Sequence, residues 1–409
     1  MNPMELYTWT REVLRCFASA NMGRWQALTL ALFSYGVMVA GRCQLQAVAD
    51  SLALAGLRGR GSSQTESVHK RLKRWLANGR IDLRACQRAW VRWIVQQVDE
   101  VVLLVDETKL GLHLSVMMVG LAYHGRCIPL VWRCYQATAY PKEGQVKLIA
   151  GLLDIIQQAL PPGPPGPPGC RRRPLLLADR GLGTSPGLVR AVQQRGWRYL
   201  FRVQRSTRLV TRGGRGGRGG RSPAFTFTLG LQPSGWSGHG LAFSRRGRVR
   251  AYALVWRGFG QAEAWCLLTN DPALSVHAYA LRNWQEQAFR DLKSGGWQGQ
   301  RSQVHLPDHA DRLVLVLALA YARMLTLGCH VAAAAAAALE APDPDYDALT
   351  FAVRTTIPAP SRRYYPGRSL FQLGLAFWRR CLAIASAMVQ TCIPFRLLAW
   401  SGIPAKLLC

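Results

Sequence analysis

The sequence predicts a mixed α/β protein, with a helical region leading into a sheet that carries further helices. Three observations lead there. Two apolar runs, Val101–Val105 and Pro174–Ala178, look like buried strands, and each is followed by an aspartate, Asp106 and Asp179. Stretches with three- and four-residue apolar spacing alternate with further strand-like runs, the pattern of helices packed on a shared sheet. The chain has 409 residues, of which 49% are hydrophobic, so it can build several packed units and is not a disordered chain.

Residues 1–98 read as a helical domain. Apolar residues recur at helical spacing in Leu14–Met38, Leu45–Leu57 and Ala85–Val98. Between them, Ser67–Leu76 is a basic amphipathic helix, with Ser62, Ser63 and Thr65 offered as N-caps. Val68, Leu72, Trp75 and Leu76 line one side, and Lys70, Arg71, Lys73 and Arg74 cover the rest. Such a face is a candidate DNA contact, although a solvated charged surface would look the same.

Residues 99–204 read as the first part of an α/β core. Val101–Val105 is followed by strands at Ser115–Tyr123 and Ile128–Tyr135, joined by a turn at His124-Gly125. A helix over Glu143–Leu160, the strand Pro174–Ala178, a helix over Pro186–Arg195 and a strand at Tyr199–Val203 complete it. The two aspartates are expected at strand ends, where open α/β sheets gather their chemistry. Residues 205–270 read as an all-β insertion, with strands at Ala224–Leu229, Val249–Trp256 and Glu263–Thr269. Two low-complexity pieces interrupt the chain. Pro161–Gly169 is expected as a polyproline-like surface loop, and Thr211–Arg221 as a flexible Arg-Gly loop that either follows nucleic acid or caps a hairpin.

Residues 271–340 return to the core. On a helix over Tyr279–Lys293, the side chains of Tyr279, Arg282, Glu286 and Lys293 fall within an arc of about 60°. Leu281, Trp284, Ala288 and Leu292 form an apolar seam on the other side. That gives a carboxylate flanked by cations and a phenol opposite a packing face. Residues 341–409 read as a C-terminal helical region, with an acidic break at Asp343–Asp347, a basic aromatic stretch at Ala359–Arg368 and a helix over Phe371–Thr391 that includes Arg379 and Arg380.

Charge narrows the function. Against 22 acidic residues stand 52 Lys and Arg, a formal net charge of +30 spread along the chain, which attracts polyanions and points to a nucleic-acid partner. The eleven cysteines show no C-x-x-C pair and are expected as free thiols in a reducing cytoplasm. The polar, mixed Met1–Glu12 is not expected to be a cleavable signal. Trp25–Gly41 and Leu313–Leu339 are apolar, but Ser34, Gly36, Arg323 and His330 make core helices the expectation rather than membrane spans.

The spacing Tyr279-x2-Arg282-x3-Glu286-x6-Lys293 resembles the YREK signature of bacterial insertion-sequence DDE transposases. Val105-Asp-Glu-Thr108 and Ala178-Asp-Arg-Gly181 resemble the segments of that family's two catalytic aspartates, and Trp265-Cys-Leu-Leu-Thr-Asn270 the strand closing its β insertion. Gln303–Ala320 resembles the apolar helix after the glutamate, so the likeness runs from about residue 100 to 340. Leu182 departs from it, standing where an aromatic residue often follows the D-R-G triplet.

The resemblance implies an RNase H-like mixed-sheet catalytic core interrupted by the β insertion. It implies Asp106, Asp179 and Glu286 as catalytic residues and ligands of two Mg²⁺ or Mn²⁺ ions, hard cations suited to carboxylates. Tyr279, Arg282, Lys293 and Arg180 would hold DNA phosphates, and Trp265 would stack on a flipped base unless it merely packs in the insertion. The partners would be double-stranded DNA at terminal inverted repeats and target DNA, with a homodimer holding two ends in a bacterial, nucleoid-associated protein. An RNase H-like nuclease or resolvase, or a non-catalytic DNA-binding protein, are the other readings.

Overall fold

The computed structural model describes residues 3–54, 64–161, 173–211, 225–258, 262–340, 369–384 and 395–397. The Pro-Gly and Arg-Gly loops, Ser62, Ser63, the acidic break at 343–347 and the basic stretch at 359–368 lie outside them, apart from terminal residues of the two loops. Five helices come first: α1 (Pro3–Cys16), α2 (Arg24–Ala40), α3 (Leu45–Leu54), α4 (Gln64–Leu76) and α5 (Leu83–Val95). The expected helix over Leu14–Met38 is thus two helices. The chain breaks between Cys16 and Arg24, where Asn21 takes a positive φ of 50° that does not continue a helix. α4 buries Val68, Leu72, Trp75 and Leu76, the four residues of its apolar stripe. Its Trp75 indole donates to the Gln26 carbonyl at 2.9 Å, which fixes α4 against α2.

The α/β part is one sheet of ten strands, in the order β3-β2-β1-β4-β5-β10-β9-β8-β6-β7. β1 (Val102–Leu110), β2 (Leu114–Tyr123) and β3 (Arg126–Gln136) form an antiparallel meander, and β1, β4 (Leu175–Ala178) and β5 (Arg198–Val203) run parallel. This half of the sheet, with α6 (Gly144–Ala159) preceding β4 and α8 (Pro186–Gln194) preceding β5, is the RNase H-like arrangement that the resemblance implied. β4 is buried at all four positions, as expected of a short strand paired in parallel on both edges. Truncating one of its leucines to alanine would cost about 2–5 kcal/mol.

The insertion does not stand apart from this sheet. β6 (Arg208–Thr211), β7 (Phe225–Thr228), β8 (Ser237–Ala242), β9 (Val249–Trp256) and β10 (Trp265–Thr269) extend it through the β5–β10 edge. β6 and β8 were not legible in the sequence: β6 is four residues long, and β8 is interrupted by Gly238 and Gly240. Gly240 is needed there, since a Cβ would lie 2.7 Å from Leu209 Cγ and 2.9 Å from the Val210 carbonyl.

α10 (Pro307–Glu340) follows the site helix α9 (Asn283–Leu292), and α11 (Leu370–Ile384) packs against it. Pro307–Ala333 is long and apolar enough to cross a membrane, but 94% of its most apolar window is buried inside the protein, so it is a core helix. The described cysteines are buried free thiols.

Two expectations about local structure are corrected. Asp106 does not end its strand: β1 continues to Leu110, because its hairpin with β2 stays in register from Asp106↔Met118 to Leu110↔Leu114. The run Asp-Glu-Thr-Lys hides this from an apolar pattern, since strand pairing rather than burial extends it. Tyr279–Lys293 is likewise not one helix. Val276–Arg282 is a 3-10 segment, α9 begins at Asn283, and Lys293 is its C-cap with non-helical dihedrals.

Candidate active site

The parallel pairing of β1 with β4 ends at Val105↔Ala178, so Asp106, within β1, and Asp179, just past the end of β4, stand side by side at the same level. Asp179 is the N-cap of a four-residue helix, α7 (Arg180–Gly183), its Oδ1 accepting from the Leu182 N–H at 2.9 Å. α7 packs directly on β5, where a Cβ on Gly183 would fall 2.3 Å from the Arg202 carbonyl oxygen. Asp106 Oδ1 accepts from the Glu107 N–H at 2.8 Å, which leaves Oδ2 pointing to the site.

α9 brings the third carboxylate. The Gln285 amide donates to the Met118 carbonyl on β2 at 3.1 Å, anchoring the first turn of α9 to the strand that pairs with Asp106. Arg282, immediately before α9, then lies among all three acids. Its Nη2 donates to Asp106 Oδ2 at 2.7 Å and sits 3.8 Å from Asp179 Oδ2, and its Nη1 donates to Glu286 Oε1. The three carboxylates are 176, 103 and 4 residues from Arg282 in sequence (282 − 106, 282 − 179, 286 − 282) and meet only through the fold.

The electrostatics reflect one guanidinium shared among three acids. Burial pushes Asp106 up to about 6, against the pull of Arg282 and the Glu107 N–H, and the charges of Asp179 and Glu286 add to the rise. For Arg282, burial opposes the charge, but Asp106, Tyr279, Glu286 and Asp179 together outweigh it and raise its pKa. Lys293 donates to Thr108 Oγ1 on β1, two residues beyond Asp106; burial lowers its pKa and Asp106 opposes that.

Tyr279 is buried, and burial pushes its hydroxyl up to about 12 against the opposing pull of Arg282 and Arg202. Its ring meets Trp265 edge-on at 5.0 Å between centroids, and Trp265 lies against Trp256 on β9 at 5.2 Å. Trp265 is half-buried at the edge of this aromatic group. Arg180 and Arg202 share one carboxylate oxygen of Glu263 at 3.2 Å each. Sequence reading missed Thr108, Arg202, Glu263 and Trp256. Of these, Trp256 reaches the site only through the strand register, being opposite Trp265 on the neighbouring strand.

The basic residues of α4 are not brought to this site by any described hydrogen bond or ion pair. Lys70 pairs with Glu66 at 2.6 Å, Arg71 donates twice to Thr29 Oγ1, and Lys73 and Arg74 are exposed.

Among the described residues no group of three or more His, Cys, Asp or Glu is arranged around a single point as a metal cluster would be. The geometry gives the reason: the acids are spread over the separate nitrogens of Arg282. The donor set itself fits a hard divalent cation, being all carboxylate oxygen, and a protein cation already stands among the acids.

Fold and site together define an α/β protein with an RNase H-like half-sheet and three convergent acids. A protein-family model described as the transposase DDE domain matches residues 133–323, which supports a DDE transposase. That span holds Asp179, Arg282, Glu286 and Lys293 but begins after Asp106, which joins them through strand pairing. DDE transposase domains generally use divalent metals. No curated protein matches the chain.

Proposed function

We propose that this protein is a DNA transposase that cuts and rejoins the ends of an insertion sequence, with Asp106, Asp179 and Glu286 as its catalytic carboxylates. The observation that carries the reading is the meeting of these three acids, from β1, the end of β4 and the first turn of α9, around Arg282. Such a set would hold Mg²⁺ or Mn²⁺. Two ions so held supply a lowered pKa at an attacking oxygen and charge stabilisation at the leaving oxygen of a phosphoryl transfer.

The chain's own residues would then do the following. Asp106 and Asp179, fixed by N–H donors at one oxygen each, present the other oxygen to the site without further ordering. Arg282 would grip a DNA phosphate with its planar fork, and Lys293 would add a point charge held by Thr108. Trp265, supported by Tyr279 and Trp256, would offer a stacking face to an unpaired base. The expected sequence is cut-and-paste: a nick by water, attack of the freed 3′-hydroxyl on the opposite strand to give a hairpin, hairpin opening and joining to target DNA. Two copies would hold two terminal inverted repeats, with α4 along the duplex.

The test is strand cleavage of DNA carrying the gene's own flanking ends in Mg²⁺, comparing wild type with Glu286→Gln. Nicks followed by hairpin ends, absent with the variant while binding persists, are the expected result. Binding without cleavage by either form, in Mg²⁺ or Mn²⁺, would overturn the reading.

A further inference from the structure

Arg282 occupies the position that most concerns the chemistry of the site. Its side chain is only 14% exposed, its Nη atoms face Asp106, Asp179 and Glu286, and its Nε is buried with no hydrogen-bond partner. A guanidinium keeps its charge at any ordinary pH and offers five N–H donors in one plane. It therefore gives the three acids a common counter-charge, and a divalent cation cannot share that place with it because two positive charges there repel.

The hold is uneven. The Asp106 side chain is 15% exposed, whereas those of Asp179 and Glu286 are 34% and 48% exposed, so the outer side of the cluster is open to an incoming anion. A phosphate presents two oxygens to a guanidinium fork as a carboxylate does, and could also take the unused Nε–H.

We infer that Arg282 is a built-in counter-ion that holds Asp106, Asp179 and Glu286 together in the DNA-free protein and leaves them for a DNA phosphate, so that DNA and divalent metal bind cooperatively. This rests on the reading of the site as one that processes DNA with metal. Before DNA arrives, the site is closed to metal and stays together without it. Once a phosphate draws the guanidinium outward, three acids are left without their counter-charge and favour a divalent cation. By linkage, metal must strengthen DNA binding by the same factor as DNA strengthens metal binding.

The experiment is a Mn²⁺ titration of the full chain, read by the electron paramagnetic resonance signal of the free ion, with and without a duplex carrying the gene's end. The proteins are wild type, Arg282→Gln and Arg282→Lys. Without DNA, Arg282→Gln is expected to bind Mn²⁺ about ten- to a hundredfold tighter than wild type, and Arg282→Lys to stay near wild type because it keeps the charge. The duplex should tighten Mn²⁺ binding to wild type by a similar factor and change the Gln variant little. Adding Glu286→Gln to Arg282→Gln should remove the gain and so locate the ion at the acids. Wild-type binding that is already as tight as the Gln variant's, or that is unmoved by DNA, overturns the inference. The wild-type arm needs no substitution, so a variant that fails to fold does not remove the test. Since no arm needs turnover, failure of cooperativity is distinct from failure of the transposase reading, which is judged by cleavage products.

Discussion

Two arginine-centred clusters touch opposite ends of α9, and they are built on different principles. At its far end Asp291 accepts from Arg126 Nε at 2.7 Å and from the Tyr321 hydroxyl at 3.1 Å, with Asp291 6% and Arg126 16% exposed. One cation meets one anion, a phenol completes the acid's partners, and the cluster ties the start of β3 to α9 and α10. At the near end one guanidinium serves three acids, two of them at least a third exposed. The first cluster is balanced and closed. The second is unbalanced and open on its outer side: Arg282 is the shared counter-charge of three acids, and only its departure would leave them free for another cation.

The sharpest way to break this contrast is at Glu286. Under the proposed function, Glu286→Gln should lower cleavage about a thousandfold or more, on the order of 4 kcal/mol in the barrier, while its melting temperature stays near wild type. A variant that melts far below wild type would instead make Glu286 part of the scaffold.

The matching change at the balanced cluster is Arg126→Ala, which leaves Asp291 buried without its cation. It should cost about 3–5 kcal/mol in urea unfolding. Arg282→Ala should cost distinctly less, because Asp179 and Glu286 can be hydrated. Equal losses would remove the distinction between the two clusters.

A buried acid with no direct arginine partner sharpens it further. Asp311 accepts from the Cys134 N–H at 2.7 Å, and burial pushes it up to about 6, against that N–H and Arg133. An unfolded Asp titrates near 4, so the folded protein holds this proton more firmly than the unfolded chain does. The favourable contribution is complete below about pH 4 and is lost as pH rises to about 6. Asp311→Asn, which keeps an acceptor for Cys134, should therefore be more stable than wild type at pH 7–8, by on the order of 2 kcal/mol, and similar to it near pH 4. Urea unfolding at the two pH values reads this, and an unchanged difference would refute it.

The smallest effect is expected at α4 cations that make no ion pair among the described residues. Lys73→Ala and Arg74→Ala should each weaken DNA binding by up to about 1 kcal/mol, alike for all sequences, and reduce the salt slope by about one. A loss confined to one DNA sequence would mean that α4 reads bases.

Much of this was legible in the chain because it rests on local pattern. The apolar runs gave β4 and the start of β1, periodicity gave α4, α5 and α6, and the stripe Tyr279, Arg282, Glu286, Lys293 marked the site helix. What failed were features fixed by partners rather than by neighbours. β1 runs on through polar residues because β2 pairs with it, and β6 and β8 exist because an adjacent strand receives them. Trp256 needed the β9–β10 register to reach Trp265, and Thr108 needed the β1 extension to reach Lys293.

By itself the sequence determined which residues could do chemistry: acids after apolar strands, cations at helical spacing from Glu286, and a net charge suited to a polyanion. The tertiary structure alone decided that Asp106, Asp179 and Glu286 share one guanidinium, while Asp291, five residues further along the same chain, is closed off by Arg126 and Tyr321. Residue type sets whether a side chain can carry charge. Burial and the count of opposite charges around it, which only packing fixes, set whether that charge is spent on the scaffold or left free to act.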